Sequence, residues 1–184
     1  MAKLIVFNFI SLNGFYKGSY DDISWHRHGE EEEEYSMESL RKETLLIFGR
    51  ITYQMMEGYW ANPITMQTDP VAAQAMNSHE KIVFSRTLVK ADWNNTRLIR
   101  DNLMDNIKKL KNESAKDLAI LGSGSLVNQL TNEGQVDEYQ LMIDPVALGE
   151  GTSLFKGITQ KLELRLTNSK VFKSGVVLLT YQRG

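Results

Sequence analysis

The chain contains no cysteine, which excludes disulfides, thiolate metal ligands and a cysteine nucleophile together and makes the cytoplasm the expected compartment. Proline is nearly as scarce, with 3 in 184 residues, so no proline-rich linker divides the chain. An excess of charge of either sign is missing too: 21 Lys and Arg face 23 Asp and Glu, a formal net charge of −2. That balance argues against nucleic acid or an anionic membrane as a partner and favours a small ligand. No apolar run approaches the roughly 20 residues of a membrane span, and residues 1–10 are interrupted too soon for a secretory signal. Fixed-period repeats and low-complexity segments are lacking as well. With 42% hydrophobic residues, residues 1–184 are expected to form one domain around one sizeable core.

What is present is an alternation of apolar runs with helically spaced segments. Residues 3–10, rich in β-branched and aromatic side chains without clean alternation, predict a strand covered on both faces. Similar runs at 44–48, 81–84 and 118–121 predict further buried strands; 138–143 reads as another and 96–99 as an edge strand. Between them Tyr53, Met56 and Glu57 fall at helical spacing, residues 70–78 open with a proline suited to a first turn, and Leu103, Ile107 and Leu110 make one apolar stripe. Residues 15–25 and 145–155 read as loops. The acidic block 30–34 predicts the solvated first turn of a helix whose stripe continues through Met37, Leu40 and Arg41. Residues 162–166 and 176–181, joined across the turn at 173–175, predict a terminal hairpin. The class is therefore α/β: a mostly parallel central sheet, helices on both faces and an antiparallel C-terminal hairpin.

Three of the predicted strands end in the same chemistry. Phe48 yields to Gly49-Arg50-Ile51-Thr52, Phe84 to Ser85-Arg86-Thr87, and Leu121 to Gly122-Ser123-Gly124-Ser125-Leu126. In an open α/β sheet, ligands sit outside the carboxyl ends of the strands. Two helix N-termini and two arginines at one edge would suit a pyrophosphate with a further phosphate. Strand-to-helix turns also use Gly and Ser for purely geometric reasons, and the third glycine of the dinucleotide fingerprint is Val127 here. An NAD fold with Asp144 as ribose acceptor is disfavoured by the short helix and by Arg86, which suits a 2′-phosphate better than a hydroxyl. His26 and His28 read as exposed loop residues, with no metal site expected. Ser123 and Ser125 lie in a phosphate-type turn, not a nucleophile elbow.

In their order and spacing, Gly49-Arg50-Ile51-Thr52-Tyr53, Ser85-Arg86-Thr87 and Leu121-Gly122-Ser123-Gly124-Ser125-Leu126 resemble the dihydrofolate-reductase-like superfamily. Within it the chain is similar to stand-alone relatives of the reductase domain of bifunctional riboflavin-biosynthesis deaminase-reductases. Residues 3–6, the turn Ser11-Leu12-Asn13-Gly14, Trp60 and residues 137–151 extend the likeness over nearly the whole chain. The resemblance implies the three-layer fold of that superfamily and a homodimeric, NADPH-dependent oxidoreductase. Its hydride would pass to a small heterocyclic substrate, pterin-like or pyrimidine-like. It implies that Gly49, Arg50, Ile51 and Thr52 hold the pyrophosphate on one side and Gly122, Ser123, Gly124, Ser125 and Leu126 on the other. Ser85, Arg86 and Thr87 would take the 2′-phosphate, and Phe9 would border the nicotinamide. Asn13, Tyr16, Trp25, Tyr53, Met56 and Trp60 are the candidate substrate-pocket residues. The catalytic group is open: Asn13 stands where the family commonly has Asp, and Glu33 and Glu34 of the acidic block are the other candidates. The alternative is a non-catalytic or regulatory module that binds a small ligand or nucleotide on the same fold.

Overall fold

The computed structural model describes residues 1–40 and 42–184. Arg41 of the predicted helical stripe lies outside the described residues, as does the side chain of Leu40. Six strands run parallel: β1 (Leu4–Ser11), β3 (Thr44–Gly49), β4 (Lys81–Phe84), β5 (Thr96–Ile99), β6 (Asp117–Leu121) and β7 (Glu138–Asp144). The terminal hairpin, β9 (Leu164–Val171) and β10 (Val177–Arg183), adds two antiparallel strands through β7. The resulting order is β5-β4-β3-β6-β1-β7-β10-β9, so the carboxyl ends of the six parallel strands share one edge.

Period-two alternation sorts each strand's side chains to two faces. Leu45 and Ile47 of β3, with Leu118 and Ile120 of β6, face one core that contains Ile107, Leu126, Val127 and Leu130. These last come from α5 (Leu103–Glu113) and α6 (Gly124–Asn132). Leu46, Phe48 and Ala119 face the opposite way, against Tyr53 and Met76. Those belong to α2 (Arg50–Trp60) and α4 (Pro70–Ser78). A third cluster joins Met142, Phe172 and Leu178 to Phe7, Phe9 and Tyr35, the last on α1 (Glu30–Leu40). Helices therefore cover both faces, and the central strands read as largely apolar runs because neither face meets water. Among the described residues no helix is long and apolar enough to cross a membrane.

Three features depart from the sequence expectation. The 15–25 and 145–155 loops contain a small second sheet, β2 (Phe15–Lys17) antiparallel to β8 (Thr152–Ser153). An extra helix, α3 (Pro63–Thr68), starts where Asn62 Oδ1 accepts the Ile64 N–H at 2.9 Å and proline occupies the first turn. The acidic block is not wholly solvated either. Glu32 is buried and takes the Ser174 hydroxyl, and Glu31 accepts the Lys173 N–H at 3.0 Å. Those contacts fasten α1 to the hairpin turn.

Candidate functional site

The register of β3 on β4 places Gly49 beside Phe84, so Arg86 follows two residues beyond that pair. On the other side of β3, the turns after β3 and β6 are bonded to each other. Ser123 Oγ accepts the Gly49 N–H at 2.9 Å and donates to the Leu121 carbonyl at 3.1 Å, while the Ser123 N–H donates to Thr52 Oγ1 at 3.1 Å. This reciprocal clasp requires two successive left-handed residues, Gly122 at φ +61° and Ser123 at φ 52°. A Cβ on Gly122 would stand 3.1 Å from the Thr52 methyl, and one on Gly124 would stand 2.7 Å from the Tyr16 ring. Gly122 is thus favoured by backbone angle as well as by close approach, and Gly124 by close approach alone.

The clasp changes which donors face a ligand. The N–H groups of Gly49 and Ser123 are consumed internally, whereas those of Gly124 and Ser125, in the first turn of α6, have no partner among the described residues. Beyond β4, Ser85 Oγ accepts the N–H groups of Thr87 at 3.2 Å and Leu88 at 2.9 Å, which folds the loop back. Arg100 fixes its far side through the carbonyls of Leu88 at 2.7 Å and Val89 at 2.8 Å. Arg86 is exposed, and its guanidinium has no partner among the described residues.

These groups border one cavity of about 860 Å³, whose wall includes Gly49, Arg50, Ile51 and Thr52, Ser85 and Arg86, and Gly122 through Leu126. Phe9, Tyr16, Trp25, Met56 and Trp60 line it as well. Thr87 does not; it is exposed in the loop beyond. Nor does Tyr53, which is fully buried, accepts the Trp93 N–H at 3.0 Å and donates to Glu57 at 3.0 Å. Burial pushes its phenol up to about 12, and Tyr53 is a core residue, contrary to its place among the expected pocket residues. Asn13 is also outside the wall. Its amide donates to the Leu148 carbonyl at 2.8 Å and accepts the Leu148 N–H at 3.1 Å, so it staples the 145–151 loop. Glu33 and Glu34 are exposed and do not line the cavity.

At the end of the cavity bordered by Phe9 lies a pair that the sequence reading separated. His26 is buried, not exposed as expected, and its Nδ1 lies 2.7 Å from Asp144 Oδ2. Asp144 is fully buried and its second oxygen accepts the Arg27 N–H at 2.8 Å, so it is not free to receive a ribose. The His26 ring stacks on Phe9 with centroids 3.6 Å apart, and His28 meets it edge-on at 4.6 Å. No local signal joins residues 118 positions apart. The polar Asp144 after the apolar Leu141-Met142-Ile143 of β7 was the only hint.

Residues 2–178 match the family model described as the RibD C-terminal domain. The chain belongs to the RibD C-terminal domain family. Within reach of that family by sequence is the uncharacterized protein YyaP of Bacillus subtilis (strain 168), 31% identical over 172 residues, or 94% of this chain and 90% of YyaP. Among solved structures, a Shewanella sp. PV-4 protein named for riboflavin biosynthesis is similar at TM-score 0.73 and 23% identity, over 100% of this chain and 99% of that one. Dihydrofolate reductase from Enterococcus faecalis, solved with NADP(H) and RAB-propyl, is similar at TM-score 0.66 and 15% identity, over 99% and 96%. At such identities the likeness is one of fold. The RibD C-terminal domain member described here has the dihydrofolate-reductase-like fold, the fold the sequence resemblance implied.

Proposed function

We propose that this protein is an NADPH-dependent oxidoreductase that transfers hydride to a small heterocyclic substrate, pterin-like or pyrimidine-like. The observation that carries the reading is the clasp of Gly49 and Thr52 to Ser123. It fuses two helix-start turns into one wall of a cavity that Arg86 also lines. Free N–H groups at Gly124 and Ser125 suit a pyrophosphate, and the unpaired guanidinium of Arg86, with the spare hydroxyl proton of Ser85, suits a 2′-phosphate. Asn8 Oδ1, buried in the wall, is an acceptor without a partner among the described residues; a carboxamide N–H would satisfy it. A cavity of about 860 Å³ accommodates the reactive half of a dinucleotide together with a small flat molecule.

Bound there, the cofactor would supply the hydride, and the protein's work is orientation and electrostatics. Trp25, Met56 and Trp60 give apolar surface against which a planar ring packs. The non-catalytic module remains the second reading, favoured by one observation: Asn13, Glu33 and Glu34 all lie outside the cavity wall. Arg86→Ala separates cofactor-specific binding from generic binding. Fluorescence titrations should show NADPH affinity falling about 10- to 100-fold, the equivalent of roughly 1.4–2.7 kcal/mol, with NADH unchanged. Equal losses for both nucleotides would refute the role given to Arg86.

A further inference from the structure

We propose that His26 donates the proton of the reduction through Nε2 and that Asp144 is the residue that positions it; the inference rests on the reductase reading above. The Asp144 carboxylate, ending β7, is 0% exposed and has both oxygens engaged, one by His26 Nδ1 at 2.7 Å and one by the Arg27 N–H at 2.8 Å. A carboxylate only accepts, so the neutral imidazole carries its proton on Nδ1. Nε2 is then the nitrogen left to take up and release a further proton. It has no protein partner among the described residues and is not sealed off, because His26 lines the cavity. A histidine serving packing alone usually has both nitrogens satisfied or points one to bulk water. Here the ring is fixed on both counts, pinned by Asp144 and stacked on Phe9 at 3.6 Å, with one nitrogen left for the cavity.

Acidic side chains flank the two imidazoles, Asp144 at 2.7 Å from His26 Nδ1 foremost. Burial first, and then the charge of His26, hold the His28 imidazole below the ordinary histidine range. From α1, Glu32 and Glu33 add negative potential on the His28 side, and Glu32 is itself held by Ser174. The Arg27 guanidinium is turned away, donating to the Ser174 carbonyl at 2.7 Å.

The bookkeeping of the step fixes the substrate class. Reducing a C=N or C=O group takes a hydride on carbon and a proton on the heteroatom. The dihydronicotinamide is oxidised as its hydride, with the electron pair, passes to the carbon. The N–H bond at His26 Nε2 breaks, its electron pair stays on the imidazole, and the proton joins the heteroatom, whose π pair makes the new bond. Neutral His26, still held by Asp144, regains a proton from solvent. The acceptor is therefore a planar ring with a polarised C=N or C=O group, and an isolated C=C bond is excluded.

His26→Asn is the informative variant, because its amide N–H can still reach Asp144 while no titrating nitrogen remains. The full chain, labelled with ¹⁵N-histidine, is followed by NMR from pH 5 to 9, as wild type and as Asp144→Asn, with and without NADPH. NADPH binding is measured by fluorescence, and NADPH oxidation with 7,8-dihydropterin and menadione as acceptors. Neutral His26 should carry its proton on Nδ1, lose that preference in Asp144→Asn, and shift when NADPH binds. His26→Asn should bind NADPH within about twofold of wild type. Its kcat should fall about 10²- to 10⁴-fold, with KM changing far less and with the wild-type decline in rate at rising pH abolished. A proton on Nε2 in the neutral ring overturns the proposal, as does His26→Asn turning over at the wild-type rate with the wild-type pH profile. Failure of wild type to bind NADPH sinks the reductase reading itself, whereas normal binding with full activity in His26→Asn sinks the proton donor alone. Should Asp144→Asn not fold, the wild-type tautomer and the His26→Asn rates decide.

Discussion

Deleting a single hydroxyl should loosen both phosphate-type turns at once. Ser123 is 6% exposed, and its Oγ is the acceptor for the Gly49 N–H at the start of α2. Ser123→Ala leaves that buried donor without a partner, which costs about 1–3 kcal/mol. In a chain of this size about 2–4 °C of Tm is lost per kcal/mol, so a fall of roughly 2–12 °C follows. Thr52→Val strikes the other half of the clasp by removing the acceptor for the Ser123 N–H at 3.1 Å. Because both variants act through Ser123, their effects should not add, and a coupling of about 0.5–3 kcal/mol is expected. Equilibrium urea unfolding of wild type, both single variants and the double variant measures this, with the m-value checked for constancy. NADPH affinity should weaken in each single variant, since the wall they hold together is the one the cofactor is assigned. A Ser123→Ala protein within about 0.3 kcal/mol of wild type, or strictly additive singles, would refute the view that the two turns form one unit.

Other consequences test different parts of the structure. Gly124→Ala places a Cβ 2.7 Å from the Tyr16 ring, and calorimetry should show a loss of about 1–3 kcal/mol, partly restored in a Tyr16→Ala background. Gly58→Ala, in α2 with nothing within 4 Å of the added atom, should instead stabilise by about 0.5–1 kcal/mol. Burial pushes the Lys81 ammonium down from 10.5 to about 8. The unfolded chain therefore holds the extra proton between those values, and stability should rise with pH from about 8 to 10.5. Denaturation midpoints measured across that window should lose this increase in Lys81→Met.

Much of this architecture was legible because it is local. The runs of β3, β4 and β6, and most of β1, are covered on both faces, and burial on both faces writes a largely apolar run into the sequence. The glycine-led turns were equally readable, since a φ of +61° at Gly122 restricts the residue type. What they do was only half visible: the amides left without a partner include those of Gly124 and Ser125, whereas a long-range clasp occupies those of Gly49 and Ser123. The β2–β8 pairing joins three residues to two across more than 130 positions, too short to carry periodicity. His26 and Asp144 were each noticed and each misplaced. Their partnership exists only once β7 pairs with β1 and brings Ser11 opposite Asp144. Asn13 and Tyr53 show the reverse error: chemically suitable side chains that the fold spends on a loop staple and on the core.

The most direct test is a crystal structure of the protein soaked in NADPH. The account predicts density for a dinucleotide with its pyrophosphate on the amides of Gly124 and Ser125 and its 2′-phosphate against Arg86. Its nicotinamide should lie at the end of the cavity lined by Phe9 and His26, facing the open nitrogen of His26. A nucleotide ordered elsewhere, or a cavity left empty at concentrations that saturate binding in solution, would contradict it.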